Sequence, residues 1–295
     1  MVRAVLLLVA VAGCDQVWQL ERDVPPAVCG PYSSPVEVVF SPTISDPHDF
    51  SVDSSGTRGL IYGEFPRAPR ATGVHAIKLV NDEWVIDPER EAGAITSLDG
   101  AHISENDFLI GWLDKSSVNL PQISEYQYFP TTRMWGGPAS GVVDSVQSET
   151  SIAGNLIVTG TQKFVVTTRL SDDDMTNSLR VFEYGPPGNS WALTGQAAPL
   201  GVESLKLNAR GAVMTADHGK LVYAAEIAHR DFTQLFATYR TRDEFRPGVP
   251  LIIEDVPADA DLTEPWIDGD CGTLYFRRDE KTWMATALVD PSPGQ

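Results

Sequence analysis

The sequence predicts an all-β fold in which small four-stranded sheets recur around an axis, a β-propeller of five blades with six as the alternative count. Three observations carry this expectation. From Pro35 onward the chain runs in short segments rich in Val, Ile, Thr, Tyr, Phe and Trp, broken by Gly, Asp, Asn and Pro, with almost no helical period. A turn followed by an apolar strand recurs at fixed intervals. The last unit lacks an outer strand, and the start of the β-rich region holds a spare one.

The recurring unit is clearest in MTADHGKLVYAAE (214–226) and EPWIDGDCGTLYFRR (264–278). In both, an aspartate (Asp217, Asp270) precedes a glycine (Gly219, Gly272) by two positions, and an apolar strand starts four residues after that aspartate. A third copy, DFSVDSSGTRGLIYGEF (49–65), reads as the same unit with Ser55 and Gly56 at the turn and one or two residues inserted. Fainter copies are ISENDFLIGWL (103–113) and LIVTGTQKFVVTTR (156–169). Anchoring on the apolar strand places the units at Leu60, Leu109, Phe164, Leu221 and Leu274. The turn aspartate can bond backbone amides across a tight hairpin, which gives the pattern a mechanism.

Further strands follow each anchor. They are GVHAIKLVN and DEWVIDP in the first unit, EYQYFPTTR in the second, SLRVFEYG and SWALTG in the third, and QLFATYRT in the fourth. After the fifth anchor only TWMATALVD (282–290) remains before the tail 291–295. PVEVVF (35–40) is therefore expected to pair into the last blade and close the ring.

Ahead of the propeller (35–290), residues 1–13 read as a signal peptide. Arg3 gives a short positive start, and Ala4 to Gly13 is an apolar run of ten, too short to span a bilayer, which takes ~20 residues. Val11, Ala12, Gly13 and Cys14 resemble the lipobox of bacterial lipoprotein signal peptides. That resemblance implies a lipid on Cys14, palmitate among its acyl chains, a tether over 14–34 and a lipid-anchored place in the cell envelope, on a periplasmic face or the cell surface. The alternative is an ordinary secretory signal with Cys14 incidental. Cys29 and Cys271 are then an even pair in an oxidising compartment, and the proposed ring closure brings both to one blade, so a disulfide is expected.

Segment 264–276 (EPWIDGDCGTLYF), and less fully 215–223 (TADHGKLVY), is similar to the repeat of the TolB-like, WD-related propellers of bacterial envelopes. Asp268 and Gly269 stand where that repeat has Ser-Pro, and Cys271 and His218 stand at its turn glycine. The resemblance implies a propeller and, among family members, an envelope scaffold that binds a lipoprotein.

Composition limits the partners. There are 40 acidic against 22 basic residues, a formal charge of −18, and this field repels nucleic-acid phosphates. A hydrophobic fraction of 42% excludes disorder. No zinc spacing, phosphate loop or GxSxG elbow occurs, and no cofactor is expected. The five histidines (His48, His75, His102, His218, His229) show no ligand spacing and are expected in surface or core roles. Asp172, Asp173 and Asp174 offer oxygen ligands for a metal but lack the spacing of a calcium loop.

Four acids are the catalytic candidates. Asp49 and Glu264 occupy matching places on the innermost strands of units one and five, each four residues before a second acid, Asp53 or Asp268. Unit four carries Gly211 at that place. Five-bladed glycosidases use inner-strand carboxylates as acid and base. The main expectation is a non-catalytic, lipid-anchored envelope protein that binds a protein or glycan partner through one propeller face. The alternative is a carbohydrate-active hydrolase using these carboxylates.

Overall fold

The computed structural model describes residues 29–64, 72–90, 100–103, 108–113, 122–139, 157–159, 162–170, 177–185, 190–196, 207–215, 217, 219–227, 232–241 and 244–288. The lipidation candidate Cys14, the signal peptide, most of the tether and Asp172, Asp173 and Asp174 lie outside them.

All regular structure among the described residues is β. The N-terminal strand β1 (Val36–Glu37) is followed by a first sheet of β2 (Phe40–Ser41), β3 (Ser45–Val52), β4 (Arg58–Glu64), β5 (Thr72–Val80) and β6 (Glu83–Ile86). A second sheet holds β7 (Gly100–Ile103), β8 (Phe108–Leu113), β9 (Gln122–Phe129) and β10 (Met134–Ala139). A third holds β11 (Ile157–Thr159), β12 (Gln162–Leu170), β13 (Asn177–Gly185) and β14 (Ser190–Gln196). In the fourth, β15 (Leu207–Met214), β16 (Lys220–Ile227) and β17 (Thr233–Thr241) are edged by the short β18 (Glu244–Phe245) and β19 (Val249–Pro250). The fifth is β20 (Thr263–Ile267), β21 (Thr273–Arg278) and β22 (Lys281–Thr286), completed by β1.

Apart from the edge strands β1, β2 and β19, the strands of each sheet pair antiparallel with their sequence neighbours. The innermost strands of four sheets meet one another: β3 lies against both β7 and β20, and β15 against β20. That arrangement is what sheets radiating from an axis produce.

The N-terminal segment closes the ring and then goes further. β1 pairs with β22 through Val36↔Met284 and Glu37↔Trp283. β2 then joins the outer edge of the first sheet, parallel to β6. One stretch of chain thus straddles the seam between last and first sheets. Before it, Cys29 is bonded to Cys271, with Cα atoms 5.6 Å apart. Tyr32, fully buried, donates its hydroxyl to the Cys271 carbonyl at 3.1 Å.

The core follows the seam. Phe50 packs edge-on to Trp84 in its own sheet (5.3 Å) and reaches Tyr275 of the fifth sheet (5.0 Å). One apolar cluster joins Phe50, Ile61 and Trp84 to Val222 and Leu235 of the fourth sheet and to Trp266, Leu274 and Phe276 of the fifth. A smaller one, with Leu60, Val74, Ile103, Tyr126, Tyr128 and Trp135, joins the first and second sheets.

The recurrent turn is built identically in three sheets, and the register corrects the expected alignment. Val52↔Gly59, Met214↔Leu221 and Ile267↔Leu274 are corresponding pairs, so the first unit has no insertion and its equivalent of Leu221 is Gly59, not Leu60. Ser55 stands where Asp217 and Asp270 stand, and Thr57, not Gly56, takes the glycine place. Accordingly Thr57 N–H donates to Ser55 Oγ (3.2 Å), Gly219 N–H to Asp217 Oδ1 (2.9 Å) and Gly272 N–H to Asp270 Oδ1 (3.1 Å). Gly59 is required by close approach, since a Cβ there would lie 2.3 Å from the Ser51 carbonyl oxygen.

Candidate functional site

The innermost strands of the first, fourth and fifth sheets carry extra residues relative to their partners, and these turn the backbone out of the strand conformation. The bulges fall between Arg210 and Ala212 in β15, between Thr263 and Trp266 in β20, and twice in β3, at 45–48 and 48–51. Three residues before the corresponding pairs, Asp49, Gly211 and Glu264 adopt φ values of 50°, 52° and 51°. Gly211 takes this left-handed conformation without a steric cost. Asp49 and Glu264 do not, and backbone strain of this kind costs on the order of 1 to 3 kcal/mol per residue. Asp46, in the first bulge of β3, is also at φ 50°.

The bulges bring the Glu264 carboxylate across the seam to His48 and the Asp49 backbone. The Asp49 amide donates to Glu264 Oε2 at 3.0 Å, and His48 Nδ1 lies 2.8 Å from Glu264 Oε1. His48 Nε2 lies 3.1 Å from Asp46 Oδ2, whose other oxygen accepts from Arg277 Nη2 at 2.5 Å. The Gly211 Cα would place a Cβ 3.8 Å from the Glu264 Cα, so three of the sheets meet at this point. His102 on β7 brings in a fourth: its ring stacks on Trp266 at 5.6 Å and 2° between planes, and its Nδ1 is buried with no hydrogen-bond partner among the described residues.

The electrostatics separate the acids. Burial, reinforced by the Glu264 charge, raises the Asp49 carboxyl to about 7. A hydrogen bond from His48 first, and then Arg277, holds the Asp46 carboxyl below the usual range. The His48 ring is raised to about 9, chiefly by its hydrogen bond to Glu264. Burial lowers His102 to about 4, opposed by the Glu264 charge. At neutral pH the site therefore combines an Asp49 carboxyl pushed toward its protonated form, an Asp46 carboxylate, a His48 imidazolium and a neutral His102 imidazole.

Of the four catalytic candidates, the structure brings together Asp49 and Glu264. Asp53 and Asp268 are elsewhere and do something else. Asp53 N–H donates to the Arg58 carbonyl (2.8 Å) and Asp268 N–H to that of Thr273 (3.1 Å), while Asp268 Oδ1 accepts from Thr273 N–H (2.8 Å). At the same place in the fourth sheet Thr215 Oγ1 accepts from Lys220 N–H (3.0 Å). A threonine performs the same task, so the task is closing the turn. His48 and His102, expected in surface or core roles, belong to the axial site, with Asp46, Arg277 and Trp266 beside them. The bulges hid this grouping, because alternation along β3 would send Asp49 to the opposite face from Asp46 and His48. Among the described residues no group of three or more His, Cys, Asp or Glu side chains is placed to hold a metal ion.

No protein-family model matches the sequence, and no curated protein does either. Solved structures do match over most of the chain. One is a thermostable family-43 glycoside hydrolase, with TM-score 0.52 and 11% identity over 87% of this chain and 97% of that one. The chain has the β-propeller fold. A second structure, from Bacteroides ovatus and assigned to the glycoside hydrolases, matches with TM-score 0.51 and 9% identity over 92% of this propeller and 97% of its own chain. At such identities the likeness concerns the fold.

Proposed function

We propose that this propeller is a carbohydrate-active hydrolase whose general acid is Asp49 and whose second carboxylate is Glu264. The observation that carries the reading is the strained conformation shared by Asp49, Gly211 and Glu264. One unit solves the backbone problem with glycine, whereas the two units whose side chains meet keep acids there at a cost in strain. Strain retained together with carboxyls in contrasting environments is what acid–base chemistry needs. Two structural neighbours described as glycoside hydrolases share the fold and support the same direction.

In this reading Asp49 delivers its proton to the glycosidic oxygen as the bond to the anomeric carbon breaks. Glu264 takes a proton from the water that attacks that carbon. A carboxylate has about four lone-pair sites, and His48 and the Asp49 amide use two of them, which leaves capacity for a water. Atoms balance: the water supplies hydroxyl to the sugar and a proton to Glu264, which then releases it to solvent, while Asp49 takes up a proton from solvent in turn. The non-catalytic binding role expected from the sequence gives no use to this protonation pattern. The TolB-like resemblance covers the turns around Asp217 and Asp270 and takes in Glu264 at the start of its last segment, whereas Asp49 lies outside it. Lipidation at Cys14 would hold the enzyme at the cell envelope; loss of palmitate labelling in Cys14→Ser tests that placement.

Reducing-sugar release from a panel of aryl glycosides and polysaccharides tests the activity. The expected result is turnover by the wild type that is lost in Asp49→Asn and Glu264→Gln. Glycan binding without turnover, or full activity in both variants, would return the protein to the binding role.

A further inference from the structure

We infer that His48 is the positioning residue of this site: by bridging Asp46 and Glu264 across the seam, with Arg277 fixing the far end, it holds the Glu264 carboxylate against Asp49. The inference rests on the reading of Asp49 and Glu264 as a working pair, and goes beyond it by assigning what sets their geometry.

Both ring nitrogens of His48 face carboxylate oxygens, at 2.8 Å and 3.1 Å. A neutral imidazole has one N–H, so only the imidazolium can donate to both. The raised value of about 9 agrees with that protonation state. The groups that face the ring are Asp46 on its own strand, Glu264 on β20, Arg277 on β21 through Asp46, and the edge of Tyr62 on β4 at 6.5 Å between ring centres. Asp49 follows it in the chain, and His102 on β7 feels the same Glu264 charge.

Glu264 is thereby held at both oxygens, Oε1 by the ring and Oε2 by the Asp49 amide. Rotation of the carboxylate would break both contacts. The chain Arg277, Asp46, His48, Glu264 alternates in charge and runs from the fifth sheet to the first and back. The geometry of the acid pair is thus tied to correct closure of the ring. His48 reacts with nothing in this scheme. It acts through Glu264, and its positive charge also favours the ionised form of Asp49 against the opposing effect of burial.

The test reads the Asp49 carboxyl directly, by carbon-13 NMR titration of aspartate-labelled full-length protein without substrate. The expected midpoint lies near 7 in the wild type and higher in His48→Ala. His48→Lys, which restores a cationic donor, moves it back, whereas His48→Gln does not. Asp46→Asn, on the exposed rim where folding is not at risk, gives a smaller shift of the same sign and keeps the test usable if His48→Ala fails to fold. With an active substrate, His48→Ala lowers kcat at least ~10-fold with KM within ~3-fold, as loss of alignment rather than of binding requires. A midpoint unchanged in both His48→Ala and Asp46→Asn overturns the inference. A shifted midpoint in a protein without hydrolytic activity supports the positioning role and counts against the hydrolase reading alone.

Discussion

Asp49 and Asp53 lie four residues apart on one strand and its turn, and Glu264 and Asp268 repeat that spacing on another, yet the inner and outer members of each pair live under different physics. The inner acids sit in bulges at positive φ, and the Glu264 carboxylate bonds across the seam to His48 and to the Asp49 amide in a different sheet. The outer acids bond within their own turn and can be replaced in kind by Thr215. The lesson is that equal spacing and equal chemistry do not imply equal roles. What separates the two sets is whether the side chain's partners are local, because a locally satisfied acid is a turn device and a cross-sheet acid at a strained residue is an expense that needs a reason.

The largest expected effect breaks the comparison at its inner end. Asp49→Asn should reduce hydrolysis by about 10² to 10⁴-fold, the range for a lost general acid, whereas Asp53→Asn should leave it within about twofold. Equal losses in both would erase the distinction. Next comes the outer end: Asp268→Ala should cost about 1 kcal/mol of stability in denaturant unfolding with kcat unchanged, since it removes the bond to the Thr273 amide. Asp268→Asn, which keeps an acceptor oxygen, should cost less.

Stability against pH sharpens the picture of the inner end. His48 holds its proton to about 9 when folded against 6.5 ordinarily, so the folded state binds more protons in that window and thermal stability should fall as pH rises through it. His48→Gln should flatten this limb. Between about 4 and 6.5 the sign for His102 is reversed, since the unfolded chain binds the extra proton, while Asp49, raised to about 7 from 3.8, opposes it. A shallow dependence is expected there, and Asp49→Asn should expose the rise due to His102. The smallest effect concerns the unit without an acid. Gly211→Ala has room for its methyl, the nearest atom being 3.7 Å away, but must keep φ at 52°, so about 1 kcal/mol of destabilisation is expected.

Much of the fold was legible because it is repetitive. The turn pattern, the strands β5, β6, β13, β14, β17 and β22, and the closing role of 35–40 all follow from local composition and the missing outer strand of the last unit. Elements with little local signal were not. β10 (MWGGPA) has no alternation to mark it, and a Cβ at its Gly136 would strike the Phe129 ring at 2.5 Å. β18 and β19 are two residues each, and the parallel pairing of β2 with β6 has no sequence mark. In the site, the equivalence of Asp49 and Glu264 could be read from the repeat. The roles of His48, Asp46 and Arg277 could not, because two bulges in β3 reset which side chains share a face.

The strand that seals the ring is made first and used last. Val36 and Glu37 leave the ribosome about 250 residues before Met284 and Trp283, their partners, exist. Throughout synthesis, at ~5 to 20 residues per second, the first sheet can form while its neighbour across the seam is missing and an edge stays open. Maturation of this protein therefore ends in a single late event, and an interrupted translation product would carry the axial acids of β3 with nothing facing them.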